Sequence, residues 1–114
     1  MKCRYVEMSV VVHATESLDR VVETLRNFFG EIPIVVEIHQ GHYGNPIYLL
    51  TSFLENCDTV LDRLCDILRS IQPAEDGVYY IRLDKQLLAR GEARLATHDD
   101  IVRIKLRARD GSCG

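Results

Sequence analysis

Apolar residues recur along this chain with two periods, one of two and one of three to four. Val6, Met8, Val10 and Val12 alternate with Glu7, Ser9, Val11 and His13, which predicts a first strand with one apolar face. Leu18, Val21, Val22, Leu25, Phe28 and Phe29 then fall at helical spacing, marking a helix with one buried stripe. Thr15 or Ser17 can cap its start, Glu16 and Asp19 suit the positive end of its dipole, and Gly30 and Pro33 end it. Two β-branched, aromatic-rich runs follow, Ile34 to Ile38 and Ile47 to Phe53, and read as strands. Between them His39-Gln40-Gly41-His42-Tyr43-Gly44-Asn45-Pro46 has the glycines, Asn and Pro of a short connection. The expected product is a β-hairpin with His42 and Tyr43 at its tip.

Leu61, Leu64, Cys65, Leu68 and Ile71 mark a second helix that Asn56 or Asp58 can cap. After the loop Pro73 to Gly77, Val78 to Leu83 reads as a fourth strand, and Asp84 can cap a short helix from Lys85 to Arg90 that Gly91 closes. Glu92 to Asp100 is ambiguous, with an extended stretch around Ala93 to Leu95. The last strand is the clearest: Val102, Ile104, Leu106 and Ala108 share one face, and Arg103, Lys105, Arg107 and Arg109 the other. The order β-α-β-β-α-β-(short α)-β predicts one α+β domain over residues 1–114. Two main helices cover one face of a mostly antiparallel sheet, whose other face is partly open to solvent.

Composition narrows the class. With 46% hydrophobic and 27% charged residues, the chain matches an ordinary globular protein. No apolar run approaches the roughly 20 residues of a bilayer span, and Glu7 stands where a signal peptide would stay apolar. A cytoplasmic protein without a membrane partner is expected. Cys3, Cys57, Cys65 and Cys113 form no C-x-x-C pair, so zinc and dithiol chemistry are not indicated. All four are expected to be reduced, and Cys57 and Cys65 lie too far apart on one helix to bridge each other. No cofactor is called for.

Net charge is −3 but unevenly placed: residues 1–78 carry 6 Lys/Arg against 12 Asp/Glu, and residues 79–109 carry 8 against 4. A polyanion would meet a local basic patch in the last third of the chain. Cations two apart on a strand are roughly 6.6–6.8 Å apart, comparable with successive phosphates, so the row Arg103, Lys105, Arg107 and Arg109 can track a nucleic-acid backbone. The alternative is a solvated strand face. Arg82-Leu83-Asp84-Lys85-Gln86 sits where a strand gives way to a helix, a place suited to anion contact; there the alternative is that Asp84 simply caps the helix. His42 and Tyr43 can stack on an unpaired base, or decorate an ordinary turn. A histidine site built from His13, His39 and His42 has only weak support in the spacing, and no P-loop, G-x-G-x-x-G, H-E-x-x-H or nucleophile elbow is present.

His13-Ala14-Thr15-Glu16, Gly41-His42-Tyr43-Gly44-Asn45-Pro46-Ile47, and Arg82-Leu83-Asp84-Lys85-Gln86 with Gly91-Glu92 occur in that order. Together they resemble the signatures of the small archaeal RNA-binding proteins predicted to be exosome subunits. The resemblance implies an α+β fold compared both to double-stranded-RNA-binding domains and to the ribosomal protein that binds 5S rRNA. It also implies an archaeal source, no known catalytic activity, and a setting in RNA processing near exosome and RNase P components. Carried over by motif, the shared surface is His13, His42, Tyr43, Asn45, Asp84, Lys85 and Gln86. The leading expectation is a non-catalytic RNA-binding protein with Arg103, Lys105, Arg107, Arg109 and Lys85 on phosphates, His42 and Tyr43 stacking or on sugar edges, and Arg82, Asn45 and Gln86 in the same RNA-binding set. Two other classes remain open: an adaptor docking through open-face apolar residues such as Tyr48, Leu50 and Tyr80, and a nuclease with His42 as base and Lys85 on phosphate. Oligomeric state and RNA type are not indicated.

Overall fold

The computed structural model describes residues 2–41, 44–109 and 113. Its elements are β1 (Cys3–Val12), α1 (Leu18–Phe29), β2 (Val35–Gln40), β3 (Pro46–Glu55), α2 (Asp58–Leu68), β4 (Val78–Asp84), α3 (Lys85–Ala89) and β5 (Ile101–Ala108). The five strands form one sheet in the order β2-β3-β1-β5-β4 with every pairing antiparallel. The expected α+β order is therefore the observed one.

The pleat decides which side chains become core. Register sets Val10 between Leu50 and Val102, and Val6 between Leu54 and Leu106, so alternate residues of the central strands share the helix-side face. There Val6, Val10, Leu50, Val102 and Leu106 join Leu25 and Phe29 of α1, Leu61 and Leu64 of α2, and Leu88 of α3 in one buried cluster. Ser17 caps α1 by accepting the Arg20 N–H at 3.3 Å, and Asp84 caps α3 by accepting the Leu87 N–H at 3.0 Å.

Three expectations change. Asn56 takes φ 56°, and Cys57, which makes no side-chain cap bond, is the N-cap of α2. Asp58 instead reaches across to β1, its Oδ1 accepting the N–H groups of Cys3 at 2.8 Å and Lys2 at 3.0 Å. That docking brings the start of β1 onto α2. The cysteines are not free: Cys3 bonds Cys57 and Cys65 bonds Cys113, with Cα–Cα separations of 5.0 and 5.4 Å. Each pair joins residues remote in sequence, which spacing along the chain could not show. Finally, Tyr48 and Leu50 point towards the helices, not the open face, because β3 pairs with β1 through Val12–Tyr48 and Val10–Leu50.

Residues in the ambiguous stretch run beside β4. The N–H of Asp84 donates to Arg94 O and that of Ala96 to Arg82 O, both at 2.9 Å, so this sheet edge is partly covered. No helix among the described residues is long and apolar enough to cross a membrane.

Candidate nucleic-acid interface

The face of the sheet opposite the helices carries the cation row. β5 presents Arg103, Lys105 and Arg107 there; register places Arg82, Tyr80 and Val78 opposite them on β4, and Ser9, Glu7 and Tyr5 on β1. Arg103, Lys105, Tyr80, Phe53, Glu7 and Val35 help to line a trough of about 680 Å³ across this face. Two ring systems flank it. Tyr80 is 58% exposed, with Lys105 Nζ 6.0 Å from its ring centroid, and Phe53 is 54% exposed and stacks on Tyr5 at 6.0 Å. An ammonium over a phenol face is attracted by the ring quadrupole, which holds the cation at the trough.

Electrostatics separate the cations into two groups. Arg82 is committed: its Nη2 donates to Asp99 Oδ1 and His98 O, each at 3.0 Å. Arg82 stands directly opposite Arg103, an unfavourable cross-strand pairing of like charges that the Asp99 carboxylate offsets. Among the described residues, Arg103 and Arg107 have no acidic partner within ion-pair distance. Arg109 follows the end of β5, its N–H donating to Lys2 O. Glu7 is the acid inside the trough, opposite Lys105.

Lys85 is placed elsewhere and differently. Its ammonium lies 2.9 Å from Val11 O, 2.9 Å from Glu16 Oε1 and 2.8 Å from Asp100 Oδ1, with only 5% of the side chain exposed. An ammonium has three donors, and all three have acceptors inside the protein. We therefore assign Lys85 to holding the fold. Burial pushes the Asp100 carboxyl up, but hydrogen bonds from Lys85 and Gln86 (3.0 Å to Oδ2) outweigh it and leave it below its ordinary value. Asp84 is also held low, first by the Leu87 N–H and then by His98 at 2.9 Å. Glu16 links the two motifs, since Oε1 also accepts the His13 N–H at 3.1 Å. His98, Asp99 and Asp100 went unnoticed in the sequence because their stretch lacks periodicity.

The hairpin forms a third region. Its last described pair is Gln40–Pro46, and Gly41 N–H donates to Asn45 O at 2.6 Å. His42 and Tyr43 lie outside the described residues. Asn45 is six residues before Thr51, which is level with Ser9 and Arg103. That is roughly 20 Å along the strand direction, so the described hairpin end and the cation row are not adjacent. His39 contacts Glu37 at 3.1 Å. Among the described residues, no group of three or more His, Cys, Asp or Glu is arranged to hold a metal ion.

The model of a protein family described as RNA binding matches residues 5–108. An uncharacterized protein of Methanocaldococcus jannaschii is 30% identical over 118 residues, covering 86% of this chain and 79% of its own. An RNA-binding protein of Pyrococcus abyssi is 24% identical, covering 96% of this chain and 84% of its own. A solved structure from Methanothermobacter thermautotrophicus shares the fold, with a TM-score of 0.80 at 24% identity over 95% of this chain and 86% of that one.

Proposed function

The chain belongs to this RNA-binding family, and from that premise we propose that it binds RNA non-catalytically along the open face of its sheet. The observation that carries the reading is the row Arg103, Lys105 and Arg107, none of them in an ion pair with a described acid, beside the exposed rings of Tyr80 and Phe53. The cations neutralise successive phosphates, and Arg109 continues the row. Stacking on an exposed ring contributes about 1–3 kcal/mol per base and needs bases that are not already paired. The ligand is therefore RNA with an unpaired stretch.

Fluorescence anisotropy with an unpaired oligoribonucleotide and its duplex tests this. Tyr80→Ala is expected to weaken the unpaired ligand selectively, whereas equal loss on both would refute a stacking role. We also propose exosome or RNase P components as partners in a cytoplasmic RNA-processing complex, which rests on the motif resemblance alone. Failure of purified components to bind the protein, with and without RNA, would remove that part and leave RNA binding standing.

A further inference from the structure

The two edges of the sheet are treated differently. β4 is partly covered by residues 94–96, but all six residues of β2 are exposed, and Val35, Val36 and Ile38 are 59%, 41% and 70% accessible. Bare edge strands usually carry lysine, proline or a bulge to block pairing with another chain. β2 reads Val-Val-Glu-Ile-His-Gln and pairs with β3 without a register shift, so it has no lysine, proline or bulge, and Glu37 is its one formal charge.

The backbone parity of this edge follows from the hairpin. The Gly41 N–H donates to Asn45 O, which places residue 41 among those whose backbone groups turn towards β3, and such residues alternate along an antiparallel ladder. Continuing the register, His39, Glu37 and Val35 bond β3. Val36, Ile38 and Gln40 then turn their N–H and C=O groups outward. No other described loop or side chain takes them up.

We infer that this edge pairs antiparallel with the same edge of a second copy, with Ile38 against Ile38 of the partner subunit on the two-fold axis. Among registers that match outward groups to outward groups, this one also pairs Glu37 with the partner's His39, and His39 with the partner's Glu37. A shift of two residues one way sets Glu37 against the partner's Glu37, and the other way His39 against the partner's His39. Like charges opposite each other are unfavourable in a sheet, which disfavours Glu37 against the partner's Glu37, and a His39–His39 pair forgoes both Glu37–His39 contacts, so the side chains favour the Ile38-centred register. The axis is perpendicular to the sheet, which puts both open faces on one side. This pairing does not depend on the RNA reading.

Cysteine cross-linking of the intact chain tests the register. At the axis the two copies of residue 38 form a hydrogen-bonded pair about 5.5 Å apart, within disulfide reach. The two copies of residue 36 lie four residues out of step, roughly 14 Å apart. Under mild oxidation Ile38→Cys is expected to give a covalent dimer and Val36→Cys a monomer, while a mixture of Val36→Cys and Gln40→Cys chains links across. Sedimentation equilibrium should show the wild-type mass rising from 13.0 kDa towards twice that value with concentration. Ile38→Lys, at an exposed position, should stay folded at the monomer mass. A 13.0 kDa species at every concentration up to millimolar, or equal cross-linking by Ile38→Cys and Val36→Cys, overturns the inference.

Discussion

Removing the Lys85 ammonium tests whether that residue serves the fold or the ligand. In Lys85→Met the stem remains, while Val11 O, Glu16 and Asp100 lose their shared donor. Breaking a buried pair by removing one partner costs about 3–5 kcal/mol. Here the lysine side chain is 5% exposed but those of Glu16 and Asp100 are 22% and 42% exposed. The abandoned carboxylates can rehydrate, and we expect the low end, about 3 kcal/mol, including the stranded Val11 carbonyl. For a chain of 114 residues that is a fall in Tm of roughly 12 °C. Urea unfolding at pH 7 measures it, and RNA affinity of the folded variant should match the wild type. A double-mutant cycle with Glu16→Gln should return a coupling above about 1 kcal/mol. A stability change under about 0.5 kcal/mol, as for an ordinary surface lysine, with affinity lost instead, would refute the assignment.

Further predictions concern the cysteines, acid and the core. The disulfides span 54 and 48 residues, so reduction should cost about 4 kcal/mol each by the chain-entropy argument; alkylation of native protein by iodoacetamide without reductant would contradict the pairing. Asp58, Asp84 and Asp100 all have lowered carboxyl pKa values, chiefly through the Cys3 N–H for Asp58 and the Leu87 N–H for Asp84, and for Asp100 through Lys85 and Gln86 working against burial. Groups with a depressed folded pKa stabilise above their unfolded pKa and lose that contribution as pH falls through the folded one. Urea midpoints should therefore decline below about pH 4, and a midpoint flat down to pH 2 would contradict this. Ser52 is buried, and its Oγ has no partner among the described residues. Ser52→Ala should consequently stabilise by about 1 kcal/mol, and a loss in thermal melts would show the hydroxyl to be satisfied.

How much was legible depended on how local the signal was. In β5 the alternation of Val102, Ile104 and Leu106 with Arg103, Lys105 and Arg107 is unambiguous, and both faces came out as read. In β3 apolar residues occupy both faces, so periodicity could not orient Tyr48 and Leu50; pairing with β1 did. The capping role of Asp84 was visible because its partner is three residues away. The burial of Lys85 was not, because Glu16 lies 69 residues before it. Cysteine pairing failed to show for the same reason. Asp58 looked like a cap, but its acceptor oxygen serves β1, a contact between segments 55 and 56 residues apart.

The central claim is that RNA lies along the open face, and the salt dependence of binding tests it most directly. Three phosphates neutralised on a single strand predict a slope of log K against log salt near −2. Arg103→Ala/Lys105→Ala/Arg107→Ala should remain folded while losing both affinity and most of that slope. A folded triple variant that keeps the wild-type affinity and slope would contradict the account and place the RNA elsewhere on the molecule.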